Sequence, residues 1–414
     1  MMKKRFLVIV ITVAILLVSV GPSYSPVSLT AQSDEPIKIG AIFDLTGPTS
    51  DVGQLYAAGI VAYVDYVNAN GGIEGRPIEL LSQDYAYSVE NAENLYIEYV
   101  NEGVVAFQGW GTGDTEALRG RIAEDEIPFM SASYSAPLGD PEEAPYNFLV
   151  GTTYSDQLVI LLQFMLEEWE AEGFTAEEMK VAVFHNDSPF GTSPLADGQA
   201  WGEEVGVEVY GVPMPRGASS FDAEITTHIV EGGATHVVVQ NTSGPAALLL
   251  RNLEDLGLRD FVVFGCLNWC ADEILIEGAG EAAEGVLGAL PFAPTSVEVP
   301  GQEVVREWLA ENDDRTLEEA SLHFTQGWWT MAVMVEGIRL TLANGQELTG
   351  ANIRANLETL ENFDTGGITA PLTYTSEDHR GNRALRVYRV EDGVWVQASD
   401  LIDLRAEDME EMSE

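Results

Sequence analysis

Apolar runs without polar alternation recur along this chain, each separated from the next by a stretch of helical period. The first half carries IKIGAIFDL, IELLSQD, VVAFQG, IPFMSAS and YNFLVG; the second carries KVAVFHN, VEVYGVPM, THVVVQN and DFVVFG. A strand that is apolar on both faces must be covered on both faces, as in a parallel sheet flanked by helices. Gaps of roughly 20 to 40 residues leave room for a helical crossover each time. In QLYAAGIVAYVDYVNAN, Tyr56, Ile60, Tyr63, Val64 and Val67 share one helical face, and glycine ends the run. Leu158, Leu161, Leu162, Met165 and Trp169 form a second such stripe.

The pattern reads as two similar α/β units, with breaks near Gly151 and Gly285. After Gly285 it changes to a short strand, three helices, and a hairpin turning at Asp392-Gly393. This late material is too little for a third domain and is expected to be shared between the first two. A chain that crosses back between lobes makes several hinge strands, which favours closure over independent tumbling. The expected division is 37–151 plus 287–367 for the first lobe and 152–286 plus 368–405 for the second, with 406–414 as an acidic tail.

A chain of 414 residues with 46% apolar content suits two domains. Its 67 acidic residues face only 20 basic ones, a formal net charge of -47. A surface of that sign repels phosphate backbones and anionic lipids, which argues against nucleic-acid binding. The acidity fits either a salty setting, where screening relieves self-repulsion, or simple compositional habit. It assigns no function.

The start is more specific. MMKKRF is basic, LVIVITVAILLVSV is apolar, and GPSYSPVSLTAQSDEP is polar and irregular. These are the three regions of a secretory signal, here residues 1–31, with cleavage after Ala31 or retention as an anchor. No cysteine stands near its end, so lipid modification there is excluded. The protein is expected to be exported, to a periplasm or the extracellular side. Cys266 and Cys270, in GCLNWCAD, are expected to form a local disulfide in an oxidising compartment, one that closes too short a loop to gain much chain entropy. No second ligand pair accompanies them, so no metal site is expected.

The catalytic inventory is thin. No phosphate-binding GxxxxGK[ST], no HExxH and no GxSxG occurs, and no cofactor motif is present. Both glycine-rich strand exits, TGPTSDVG and GWGTGDT, lack the dinucleotide fingerprint. His236 reads as structural and His379, in SEDHRGN, as a surface-turn residue. Six expected strand ends, DLTGPTS, QGWGTGDT, SASYSAP, FHNDSPFG, QNTSG and GCLNWC, are rich in small polar groups or aromatics but poor in charge. Open parallel sheets bind ligands beyond the carboxyl ends of their strands, and this chemistry suits a small polar molecule with an apolar part.

The order and spacing of GP plus G after the first strand, NANGGIEGRPIEL, the GWGTGDT loop, IPFMSASYSAP and EGVLGALPF resemble the type I periplasmic substrate-binding proteins of ABC importers. The chain is similar to the subgroup that binds branched-chain or hydrophobic amino acids and amides, over residues 37 to 400. The resemblance implies two Rossmann-like lobes with parallel-sheet cores joined by three hinge crossovers. A ligand would sit between them, and the closed form would dock on a membrane permease. It also implies roles. Thr112, with Gly113 and Asp114 nearby, would hold a ligand carboxylate. Ser133 and Ser135 would add a carbonyl and a hydroxyl, with Tyr134 covering an apolar group. Phe190, and Asn241 or Thr242, would contribute from the second lobe. Trp110 and Trp269 either stack on a ring or pack.

Relatives that bind amino acids place a glutamate after a later second-lobe strand, against the α-ammonium. Here that segment offers Leu267, Asn268 and Trp269, with no carboxylate until Asp272. A buried ammonium without a counter-charge is costly. The ligand could therefore be a hydrophobic or aromatic amino acid, a related carboxylate, or an amide. Asp114 could pair with an ammonium or serve its own helix terminus. Two other functions remain open at this level. One is a ligand-sensing receptor module. The other is an exported hydrolase using Asp44 and Asp187, which both stand at strand ends.

Overall fold

The computed structural model describes residues 35–404. The expected signal segment and the acidic tail from 406 lie outside the described residues. The first lobe runs β1 (Ile37–Phe43), α1 (Ser50–Ala69), β2 (Ile78–Asp84), α2 (Val89–Asn101), β3 (Ala106–Gly109), α3 (Thr112–Asp125), β4 (Phe129–Ser131) and β5 (Asn147–Phe148). The second follows as α4 (Tyr154–Ala171), β6 (Lys180–Asn186), α5 (Pro189–Thr192), α6 (Leu195–Val205), β7 (Glu208–Met214), α7 (Asp222–Ile225), β8 (His236–Gln240), α8 (Ser243–Asp255), β9 (Val263–Cys266), α9 (Glu273–Ala279) and β10 (Leu287–Leu290). The chain then supplies α10 (Pro300–Asn312), α11 (Leu317–Ala343) and α12 (Gly350–Leu357), and ends in the hairpin β11 (Arg386–Glu391) and β12 (Val394–Gln397).

The first sheet is all parallel, in the order β2-β1-β3-β4-β5. The second has the order β12-β11-β10-β9-β8-β6-β7. Its β7-β6-β8-β9-β10 portion is parallel and repeats the strand order of the first sheet; the terminal hairpin adds two antiparallel strands at one edge. Three crossings link the lobes: after β5, after β10, and before β11. Because β10 is hydrogen-bonded to β9 and β11, the chain returns to the first lobe after Leu290, slightly later than the apolar pattern placed it.

Most first-sheet strands are buried along their length, and their ring side chains interleave. Phe107 of β3 and Phe129 of β4 stack with centroids 5.2 Å apart, covered by Tyr96 of α2. Helix α11 lies across α1 at backbone distance. A Cβ on Gly59 would overlap the Phe324 carbonyl oxygen, and one on Gly327 would overlap that of Tyr56. Helix α11 is kinked at Ser321, whose φ of 75° is left-handed. Glu273 of α9 holds the kink. Its Oε2 accepts from Ser321 Oγ and Leu322 N–H, and its Oε1 accepts from Thr295 Oγ1 in the second crossing.

His379 is not on the surface. It is fully buried in the last crossing, stacked on Phe148 at 4.0 Å, with Nδ1 bonded to the Asn147 carbonyl and Nε2 facing Glu358. The polar neighbours that suggested a turn are real, but the turn is folded against β5. Among the described residues no helix is long and apolar enough to cross a membrane.

Candidate functional site

A sheet with this strand order splits where neighbouring crossovers leave in opposite directions, and a crevice opens beyond the carboxyl ends of the strands there. In both sheets the split lies between the first and third strands: β1 and β3 in one, β6 and β8 in the other. The two crevices face one another. Residues from all six glycine-, hydroxyl- and aromatic-rich strand exits meet there. Thr49, Trp110–Thr112 and Ala132 come from the first lobe; Phe190, Thr242 and Trp269 come from the second. Tyr87 and Tyr154 complete the lining. The space they enclose is about 20 Å³, little more than one water molecule.

The first-lobe wall is fixed by a chain of bonds. Trp110 Nε1 donates to Thr49 Oγ1 (2.8 Å), which donates to Asp44 Oδ2 (2.7 Å). Asp44 also accepts from the N–H groups of Gly47 and Thr49, so both its oxygens hold the β1–α1 turn. Thr112 begins α3, and its hydroxyl is 2.7 Å from that of Ser133. Gly111 and Thr112 thus bring the start of a 14-residue helix to the niche, and a helix start is an arrangement suited to an anion. Gly111 is required by crowding, because a Cβ would run into Asp114 and the Tyr85 hydroxyl. The glycines of GWGTGDT therefore let the strand exit pass over a buried carboxyl group.

Asp114 is that group. It is 2% exposed and lies behind Gly111, not in the niche, with Oδ1 accepting from Tyr85 OH at 3.0 Å. Burial pushes its pKa up to about 7, against the backbone N–H and Tyr85 bonds that favour the charged form.

The remaining walls are aromatic. Trp269 stacks on Tyr134 (5.9 Å) and meets Trp110 edge-on (5.1 Å), while its Nε1 donates to Tyr154 OH at 2.9 Å. Tyr154 packs edge-on against Phe190 at 5.5 Å. The polar tips of Trp110, Trp269 and Tyr154 are thus bonded within the protein, leaving rings to face the niche.

Behind Trp269 lies a buried polar cluster. Asp272 accepts from Leu275 N–H (2.8 Å), capping α9, and from Ser243 Oγ (2.5 Å); its Oδ2 also meets His323 Nε2 (2.7 Å). His323 stacks on Trp269 and bonds Gln326, which donates to Asn268 Oδ1. Burial pulls the His323 pKa down, but the hydrogen bond and charge of Asp272 override it, so the net direction is upward. The first carboxylate in the segment where amino-acid-binding relatives carry theirs is therefore already spent on a cap, a hydroxyl and an imidazole.

The lobes touch across the cleft. Asp51 of α1 accepts from Gly244 N–H at the start of α8 (2.9 Å), and Ser193 Oγ donates to Ser135 Oγ (3.2 Å).

Of the residues singled out in the sequence, Trp110, Thr112, Phe190, Thr242 and Trp269 line the niche. Gly113 packs toward Pro189, Ser133 supports Thr112, and Tyr134 lies beneath Trp269. Ser135 turns to Glu116, Asn241 opens onto a neighbouring groove, and Asn268 is engaged by Gln157 and Gln326. Tyr87 and Tyr154 were not legible: one follows β2 with a left-handed φ of 57°, the other starts α4. The position of Tyr154, directly after the first crossing, was the available signal.

The expected disulfide is absent. Cys266 and Cys270 are free, buried thiols, and Cys270 Sγ is directed at the carbonyls of Val239 and Leu267. The thiols serve as small apolar packing groups at the end of β9, and burial pushes the Cys266 pKa well up. Asp187, the other half of the hydrolase pair, is exposed on the outer groove.

Comparison with known proteins gives the same architecture. The leucine-, isoleucine-, valine-, threonine- and alanine-binding protein of Pseudomonas aeruginosa is 23% identical over 326 residues, covering 78% of this chain and 83% of that protein. The crystal structure of a branched-chain amino acid ABC transporter protein from Thermus thermophilus with bound valine is 26% identical, with a TM-score of 0.83 over 89% of this chain and 96% of that one. An ABC transporter substrate-binding protein from Aeropyrum pernix is 29% identical, with a TM-score of 0.79 over 89% and 96%. The family of periplasmic binding proteins matches residues 36–394. With two lobes, paired crevices and this match over most of its length, the chain belongs to the periplasmic binding protein family, as an extracytoplasmic solute-binding protein of the ABC-importer type.

Proposed function

We propose that this protein delivers a small carboxylate with an apolar aliphatic or aromatic body to an ABC permease, and that it does not select for a free α-amino acid. The observation that carries this reading is the saturation of Asp272, whose cap, hydroxyl and histidine bonds occupy both of its oxygens. Thr112 and the open N–H groups of α3 would take the carboxylate; Trp110, Tyr154, Phe190 and Trp269 would enclose the apolar body. An unpaired ammonium there would cost several kcal/mol. The ligand exceeds the present space, so binding must part the lobes or move the rings. A second reading, a branched-chain amino acid, is favoured by the valine in the Thermus protein's structure.

Calorimetry with valine against isovalerate, and phenylalanine against 3-phenylpropionate, separates the two. Tighter binding of the deaminated acids is the expected result. Binding of the amino acids alone would refute the carboxylate reading.

A further inference from the structure

The inner niche does not account for all of the cleft. Beside it, lined by Pro48 and Asn241 next to Thr49 and Thr242 of the niche, lies an open groove of about 410 Å³. It sits at the carboxyl ends of β6, β7 and β8, where sheets of this kind bind ligands. A space of that size is in the range of small-molecule sites, whereas the niche alone is not.

Its lining departs from the rest of the molecule. In a chain with 20 basic residues against 67 acidic ones, two arginines converge here, Arg216 after β7 and Arg251 on α8. Neither makes an ion pair among the described residues. Arg251 gives one N–H to the Gly278 carbonyl, an uncharged partner. Asp187 stands in the same groove, leaving it one positive charge in excess. Two guanidinium groups without an ion pair in one groove favour an anion from outside.

A second observation points the same way. Asn186 and Asn241 form the floor, 8% and 4% exposed. Asn186 Nδ2 donates to Asn241 Oδ1 at 3.1 Å, but its own Oδ1 is buried with no partner. Asn241 Nδ2 finds only the Met214 sulfur, a weak acceptor. Buried amides left this poorly paired cost stability unless a ligand completes them.

We infer that this groove is a second subsite, taking the distal anionic group of an elongated solute whose apolar middle lies against the aromatic niche. The inference rests on the carboxylate reading and sharpens it: the solute class is a dicarboxylate, one carboxylate at the start of α3 and the other between Arg216 and Arg251. Asn186 Oδ1 would accept from a hydroxyl or amide N–H near the second carboxylate.

The test uses the full chain and titrates α,ω-dicarboxylates from glutarate to suberate against monocarboxylates of the same carbon number. At least one dicarboxylate should bind roughly tenfold tighter than its monocarboxylate partner, as two exposed ion pairs allow. The R216Q/R251Q variant, altered only at exposed side chains, should lose that advantage and keep monocarboxylate affinity within about twofold. Half-molar salt should shrink the advantage in the parent. Equal affinities across each pair, or an advantage that survives in R216Q/R251Q, would overturn the subsite while leaving the niche reading intact. Failure of both series to bind would remove the carboxylate reading and the subsite with it.

Discussion

Asp114 offers a measurement in which sign and size both follow from position. Its carboxyl group is 2% exposed, has one oxygen without a partner, and holds its proton up to about pH 7. In the unfolded chain it releases that proton near 3.8. Between these values the folded state binds more protons than the unfolded state, so stability falls as pH rises from about 4 to 7. The interval from 3.8 to about 7, at about 1.4 kcal/mol per pH unit, makes the total loss on the order of 4 kcal/mol. Asp114→Asn keeps the shape and the acceptor for Tyr85 but cannot ionise. The attraction of the first turn of α3 for the negative charge is already contained in the folded value. The variant should therefore gain on the parent as pH rises, and exceed it at pH 8 by about 4 kcal/mol. Urea unfolding of both proteins at half-unit steps from pH 4 to 8 gives the difference directly, with other titrating groups cancelling. A difference that stays constant across this range would show that Asp114 is ionised in the folded protein, and the burial argument would fail.

Other outcomes follow from the same coordinates. Gly327→Ala forces α11 away from the Tyr56 carbonyl and should cost about 2 kcal/mol, read as a lower Tm. Asp272→Ala leaves His323 and Ser243 without their partner in the interior and should cost about 3–5 kcal/mol. Because the pair raises the His323 pKa, its contribution is full below about pH 6.5 and is lost as pH rises through the folded value, so the gap between parent and variant should narrow at alkaline pH. A thiol reagent should leave the native protein unlabelled and titrate both cysteines after denaturation without reductant; no free thiol after denaturation would restore the disulfide.

The sheet cores were legible because burial on both faces erases alternation, and IKIGAIF, KVAVFHN and HVVVQ leave no other reading. The six strand exits were legible for a related reason: only small, hydroxyl or aromatic residues suit a backbone that leaves a sheet into a cleft. What each side chain does within an exit was not legible. Thr112 and Ser135 look alike in sequence, yet one faces the niche and the other reaches Glu116, because loop geometry decides direction. Asp114 is hidden behind a glycine for the same reason. His379 and the cysteines failed differently. Polar neighbours and a short spacing said nothing about which element would fold over them.

The bond from Asp51 to Gly244 spans 193 residues of sequence and joins the two lobes. It gives the start of α8 a carboxylate that belongs to the protein itself, and burial pushes the Asp51 pKa upward as the lobes meet. Any movement that separates the lobes breaks this bond, so the bond favours the closed form before a solute arrives. A solute held by closed lobes sees its affinity scaled by the fraction of molecules that close. Removing the carboxylate would lower that fraction and weaken apparent affinity without touching a single ligand contact. Natural variation at position 51 could thus tune how much solute is needed before the receptor reports it to the membrane.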